Sequence, residues 1–164
     1  RASGEGGGAI VTSGPGATNS VTPVRDCMAD SVPIVVICGQ VPRAAIGTDA
    51  FQEAPVTAVM GSVAKHVFLV TDPESLESTV RTAFEIARTG RPGPVVVDIP
   101  KDVLLSERAD FVWPETVNLA GYNPPGDADP EQVAQEAALI NQAPGRNCAS
   151  RAPSSPADRR FVAR

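Results

Sequence analysis

The chain has 164 residues, 42% hydrophobic and 20% charged, with a formal net charge of −5, which suits one globular domain with a modest core. That acidic balance argues against a general nucleic-acid or anionic-membrane binder, since both need a basic face to displace counterions or meet acidic headgroups. Its three cysteines, Cys27, Cys38 and Cys148, stand far apart with no C-x-x-C pair, so neither a disulfide framework nor a zinc site is suggested and a reducing compartment is expected, a bacterial cytoplasm in preference to a eukaryotic plastid or mitochondrion.

No apolar stretch approaches the roughly 20 residues of a membrane span, and no charged-then-apolar leader opens the chain, so a soluble protein is expected. The first apolar run, Ala9 to Thr12, leads into "VTSGPGATN", Val11 to Asn19. This turn lacks both G-x-x-x-x-G-K-[ST] and G-x-G-x-x-G, so it is not a phosphate cradle of either kind. Two readings stay open on the loop alone. Backbone at Gly14-Pro15-Gly16 can come very close to a flat ligand, or the stretch is a tight strand-to-helix turn with Asn19 or Thr22 capping and Pro23 opening the helix.

The second run, Ile34 to Cys38, is β-branched without polar alternation, the pattern of a parallel strand covered on both faces. After it comes "GQVPRAAIGTDAFQE", Gly39 to Glu53, longer than the usual connection of about 2 to 6 residues and therefore a candidate functional loop. The third run spans Val67 to Val70. His66 just before it is the single histidine, has no partner cluster and reads as structural. A helix follows: Asp72 is the expected N-cap and Pro73 its first residue, with Glu74 favoured by the dipole. Leu76, Val80, Ala83, Phe84 and Ala87 form its apolar stripe, and Arg88, Gly90 and Pro92 end it. The fourth run, Val95 to Ile99, is again uniformly apolar apart from one aspartate.

Alternating strands and helices predict an α/β fold with a parallel sheet flanked by helices and right-handed crossovers. In such sheets ligands collect at the carboxyl ends of the strands, so "SGPGATN", "GQVPRAAIGTDAFQE" and "PKD" should face one edge together. Beyond Ile99 the pattern loosens. "NPPGDADP" reads as a linker before a short helix at about Glu131 to Ala143. From Pro144 the arginine-, serine- and proline-rich tail reverses the earlier charge. It resembles a GC-rich coding region read out of frame, with a genuine disordered extension as the alternative.

Together, "TSGPGATN", "GQVPRAAIGTDAFQE" followed by "KH", and "GRPGPVVVDIPKD" resemble the catalytic subunits of acetolactate synthases, a family of thiamine-diphosphate enzymes. The resemblance runs from Arg1 to about Val103 and more weakly to Ala143. The first and last motifs recur among several thiamine-diphosphate carboligases and decarboxylases, whereas the middle one is more particular. The resemblance implies a doubly wound pyrimidine-binding domain at residues 1–106, incomplete at its N-terminus. A linker at 107–129, the start of a middle domain at 130–143 and the tail at 144–164 would follow.

Carried over residue by residue, the resemblance puts Gly14, Pro15, Gly16 and Asn19 on the pyrimidine side of the cofactor. It puts Phe51 and Gln52 at the substrate funnel, Lys65 and Lys101 near that channel, and Pro42 at its mouth, where the family's inhibitors bind. Ser31 and Arg91 match positions that touch FAD. Gln52, Lys101 and Phe51 are thus the candidates nearest the chemistry. Each has a rival local reading: Gln52 can cap a helix, Lys101 can be a solvated residue after a strand, and Arg91 can pair with helix C-terminal carbonyls. The implied substrates are pyruvate and 2-ketobutyrate, condensed with decarboxylation in isoleucine, valine and leucine biosynthesis. A homo-oligomer with a regulatory subunit is implied as well.

The family holds Mg²⁺ and the diphosphate in a separate domain, so no metal-ligating residue is expected here. Its catalytic glutamate lies in "HEQGA", on a helix that ends near "YARASG". This chain begins at "RASG", and Glu5, in a glycine-rich stretch, is no substitute; the chain alone is therefore expected to be inactive. The alternatives are a non-catalytic α/β module that binds a cofactor or a subunit, and a related thiamine-diphosphate carboligase, against which "GTDAFQE" counts.

Overall fold

Four short apolar runs, the central two rich in β-branched residues, form the sheet: β1 (Gly7–Val11), β2 (Ile34–Gln40), β3 (His66–Leu69) and β4 (Pro94–Pro100). The structure is a computed structural model that describes residues 5–107, 110–124 and 126–142. The tail from Pro144, with Cys148, lies outside the described residues. The strand order is β1-β2-β4-β3 and every pairing is parallel. All seven residues of β4 are buried, as the unbroken apolar pattern of "PVVVDIP" requires of a strand with neighbours on both sides and helices on both faces.

The connections are helical. α1 (Pro15–Asn19) and α2 (Val21–Ala29) join β1 to β2, α3 (Val56–Gly61) lies between β2 and β3, and α4 (Leu76–Arg88) joins β3 to β4. Ala17, Val24, Val56 and Met60 pack with Val36, Cys38 and Val96 into one core layer. Ile37 and Ile99 alternate with these strand residues and so point to the other face, where they border a groove with Leu76 and Val80 of α4. The chain is therefore wound on both sides of its sheet, and the loops that follow the strands are delivered to a common carboxyl edge.

Local signals decide where the helices begin. Pro15, not Pro23, is the first helical residue after the sheet, since proline needs no N–H there and its fixed φ suits the position. The expected caps, Asn19 and Thr22, do not act. Neither α1 nor α2 has a side-chain cap at its start, and the junction is instead tied by Ser20, whose hydroxyl donates to the Ala17 carbonyl at 2.6 Å. Asp72 does cap: its carboxylate accepts from the Glu74 N–H at 3.0 Å. That first turn, Pro73–Ser75, winds tightly as a 3-10 turn, so α4 proper starts at Leu76. Ala83, Ile86 and Ala87 are its buried residues; Ile86 joins the anticipated stripe.

A short helix, α5 (Lys101–Leu104), follows β4 directly. Residues to Asn118 form one compact unit with the sheet, and a second unit begins at Leu119. The second unit contains α6 (Pro130–Gln142), which begins one residue before the expected start, while the expected last residue, Ala143, lies outside the described residues.

Candidate functional site

Three loops meet at the carboxyl edge of the sheet. Gly14 stands after β1 with φ 59° and ψ −105°, a backbone region that side chains oppose. A Cβ there would lie 2.6 Å from the carbonyl oxygen of Gln52. The "SGPG" turn therefore backs directly onto the "AFQ" segment, 38 positions further along. Gln52 itself has φ 61°, and Asp49 has φ 58°. Positive φ at two non-glycine residues so close together marks a loop whose shape is imposed by its surroundings. Gly16 serves packing of a different kind, since a Cβ on it would approach Thr12 Cγ2 at 3.0 Å.

The long loop after β2 is fastened at three points. Arg43 donates from its backbone N–H to Asp102 Oδ1 at 3.0 Å and from Nε to Asp102 Oδ2 at 2.7 Å, and its Nη1 donates to the Thr71 carbonyl at 2.9 Å. One arginine thus links the chain after β2, β3 and β4. Hydrogen bonding from Arg43 holds the Asp102 carboxyl below its ordinary range. Glu53 folds the tip, accepting from the Gly47 and Ala50 N–H groups, and the Gly47 bond holds its pKa down.

The third fastening is buried. Gln40, the last residue of β2, donates from Nε2 to both Asp98 Oδ2 and the Ala54 carbonyl, each at 3.0 Å, and its Oε1 accepts from the Val41 N–H at 2.9 Å. Asp98 is 1% exposed, and its Oδ1 has no hydrogen-bond partner among the described residues. Burial pushes its pKa up to about 6 against the opposing pull of Gln40. Across the ladder, burial and then the Asp98 charge push the Cys38 thiol up to about 12, so it stays a neutral core group.

Of the residues singled out from sequence, Pro15, Asn19, Pro42, Phe51, Gln52 and Lys101 are exposed at or beside this edge, and Gly16 is half-buried. Ser31, Lys65 and Arg91 are not with them; they precede β2, β3 and β4 and so lie at the amino edge. Arg91 donates from Nε to Ser31 Oγ at 3.1 Å and from Nη2 to the Met28 carbonyl at 2.8 Å, in the last turn of α2. Lys65 Nζ donates to the Ile86 carbonyl and, at 2.7 Å, to the Thr89 carbonyl at the end of α4. Both cations neutralise the negative ends of helices. His66 is exposed and meets the Phe68 ring edge-on at 4.4 Å. Among the described residues no three His, Cys, Asp or Glu side chains converge as a metal-holding group.

Residues 1–60 match the family described as thiamine pyrophosphate enzyme, N-terminal TPP binding domain. The chain is 52% identical over 134 residues to the acetolactate synthase large subunit of Corynebacterium glutamicum, an alignment that covers 82% of this chain and 21% of that protein. It is 51% identical over 138 residues to acetolactate synthase 1, chloroplastic, of rice, covering 81% and 21%. With the isozyme 3 large subunit of Escherichia coli it shares 49% over 125 residues, covering 76% and 22%. The chain belongs to the acetolactate synthase family of thiamine pyrophosphate enzymes. It spans about a fifth of the length of these relatives.

An aminopyrimidine is flat and asks for apolar surface with a few hydrogen-bonding groups. In this acetolactate synthase family chain, Pro15, Gly16 and Asn19 present backbone, ring and amide of that kind at one turn, so the residues present fit. Gly14 differs from its expected part, because the space its missing Cβ leaves is filled by Gln52 backbone. Glu53, the carboxylate of the neighbouring loop, is engaged by its own loop N–H groups.

Sequence reading passed over Gln40, Arg43, Glu53, Asp98 and Asp102. Asp98 had a signal: a carboxylate inside an otherwise apolar buried strand is costly unless partnered. Gln40 had a similar one, a polar side chain closing an apolar run.

Proposed function

We propose that this chain is the pyrimidine-binding region of an acetolactate synthase, acting within a longer polypeptide to condense two pyruvates, or pyruvate and 2-ketobutyrate, with loss of carbon dioxide. The observation that carries this reading is the contact between Gly14 and Gln52. It joins the turn matched to the cofactor with the loop matched to the substrate, as a site that reacts one against the other requires.

Thiamine diphosphate, when bound, would supply the electron sink for decarboxylation. Pro15, Gly16 and Asn19 would hold its pyrimidine ring, with Gly14 supporting them from behind. Phe51 and Gln52 border the substrate entrance and Pro42 its mouth, while Lys101 brings a positive charge suited to a 2-keto acid carboxylate. Mg²⁺ and the diphosphate would be held by parts of the relatives that this chain does not span. FAD is assigned to the amino edge with Ser31 and Arg91. Lys65 lies at that edge too, so within one copy of the chain it does not share a channel with Pro42. In the proposed arrangement residues 1–106 bind the pyrimidine, 107–129 link, and 130–143 open a middle domain. The working enzyme is a homo-oligomer with a regulatory subunit in a bacterial cytoplasm.

The test is expression of the complete reading frame that contains this chain, followed by acetolactate assay with pyruvate, thiamine diphosphate, Mg²⁺ and FAD. Acetolactate is expected from the complete protein and none from the 164-residue chain alone. In the complete protein, Gln52→Ala should lower the rate about tenfold to a hundredfold. Another ketol product would favour a related carboligase. Loss of all pyruvate consumption would leave the non-catalytic module.

A further inference from the structure

The loop that carries Phe51 and Gln52 begins at Val41 and ends at Pro55, and the two ends return to one side chain. Gln40 receives the Val41 N–H on its oxygen and reaches the Ala54 carbonyl with its nitrogen. A primary amide can make that pair of bonds in one orientation alone; turned over, it would set oxygen against carbonyl and N–H against N–H. Asp98 reinforces that orientation, because its Oδ2 accepts a second bond from Nε2 and holds it on the Ala54 side.

The same carboxyl weakens the fold. It is buried, one of its oxygens has no partner among the described residues, and its surroundings include Cys38 and the apolar layer of Val36, Val96 and Met60. An unpaired carboxylate oxygen in such a place is destabilising relative to an apolar residue of similar volume. What it achieves lies in the loop. Gln52 sits in left-handed backbone pressed against Gly14, and Asp49 is left-handed as well. Such a shape persists only where both loop ends are held. Arg43 holds the first end from an exposed position, and Gln40 joins both ends from a buried one.

The geometry points to Gln40 and Asp98 as positioning residues of the reaction: Asp98 orients the Gln40 amide, and the amide sets the Val41 to Pro55 loop so that Gln52 faces the cofactor turn. This rests on the proposed function for its reading of Gln52, and not for its account of the loop. Neither residue touches substrate; each acts through the loop.

The experiment uses the complete protein and three variants, Asp98→Asn, Asp98→Leu and the double variant Gln40→Leu/Asp98→Leu. Asparagine keeps an oxygen that accepts from Gln40, whereas leucine removes that acceptor and leaves the amide held by the two backbone bonds alone. The double variant removes the Gln40–Asp98 pair together; the Ala54 carbonyl keeps the Val56 N–H as a donor, whereas the buried Val41 N–H loses its acceptor, so some loss of stability is expected as well. Hydrogen exchange at the Gly47 and Ala50 amides, both bonded to Glu53, reads the loop without any reference to activity. Exchange there should quicken about tenfold in Asp98→Leu and in the double variant, and hold near the parent rate in Asp98→Asn. Pyruvate kinetics should show the same ranking, with kcat/KM down about tenfold or more in the leucine variants and thiamine diphosphate affinity preserved.

Unchanged loop exchange in a folded leucine variant would overturn the assignment whatever the activity. So would Asp98→Asn behaving like Asp98→Leu. If the parent protein does not consume pyruvate, the proposed function fails, and the exchange ranking still decides the positioning of the loop.

Discussion

Gly14 and Gly47 both have positive φ, 59° and 85°, yet they predict different costs for the same substitution. At Gly47 a Cβ meets nothing within 4 Å, so Gly47→Ala carries the backbone penalty alone, about 1 kcal/mol. At Gly14 the Cβ would collide with Gln52 backbone at 2.6 Å, and no flexible side chain is available to give way. Gly14→Ala should therefore cost about 2 kcal/mol more than Gly47→Ala in urea unfolding. Equal shifts for the two variants would mean that the Gln52 segment gives way easily.

Asp98 makes a prediction about pH. Its carboxyl titrates near 6 in the folded chain against an ordinary value of 3.8. Between those values the folded state keeps a proton that the unfolded state has released. Its contribution to stability is thus present below about pH 4 and is lost as pH rises through about 6. The Cys38 thiol beside it stays neutral throughout this window, being pushed up to about 12. Asp98→Asn removes the titration, so the variant should gain stability relative to the parent at about pH 7 compared with about pH 4. Melting curves that run parallel for the two proteins across this range would show that Asp98 is solvated after all.

At the scale of elements, periodicity and punctuation carried most of the fold. Short apolar runs placed all four strands, and the two that are β-branched without polar alternation, β2 and β4, are the central strands covered on both faces. The long amphipathic helix could be read from its stripe and from Asp72. What failed was the start of the first helix. Asn19, Thr22 and Pro23 carry strong local signals, but Pro15 stands nearer the strand and Gly14 provides the bend, so the helix begins at once. Helix α3 was not anticipated either; its six residues are too few to show a period, and it is held by burial of Val56 and Met60. The site was legible as loops at one edge, since topology alone sends strand-end loops there. Its internal fastenings were not, because Gln40 and Asp98 are 58 positions apart and no local pattern announces their hydrogen bond.

Considered as a whole molecule, the part of the chain up to Asn118 covers its two sheet faces unequally. On the face of α1, α2 and α3 the strand residues are buried in a core cluster, while beside α4 an apolar groove of about 690 Å³ remains. Ile10 on β1 borders it with 81% of its surface exposed, together with Leu76, Val80, Phe111 and Trp113. Trp113 is the single tryptophan, so its emission reports on this groove alone. Glu77 and Asp110 also line it, which disfavours an anionic probe and makes a neutral dye such as Nile red the right one. The 164-residue chain should bind the dye with a blue shift of Trp113 emission. Ile10→Glu should weaken that binding about tenfold, the loss expected from replacing one aliphatic contact to the dye with a charge. Should Ile10→Glu bind as tightly as the parent, or Trp113 stay silent while the dye binds, the apolar surface taking up the dye would lie elsewhere and the groove beside α4 would be closed in solution.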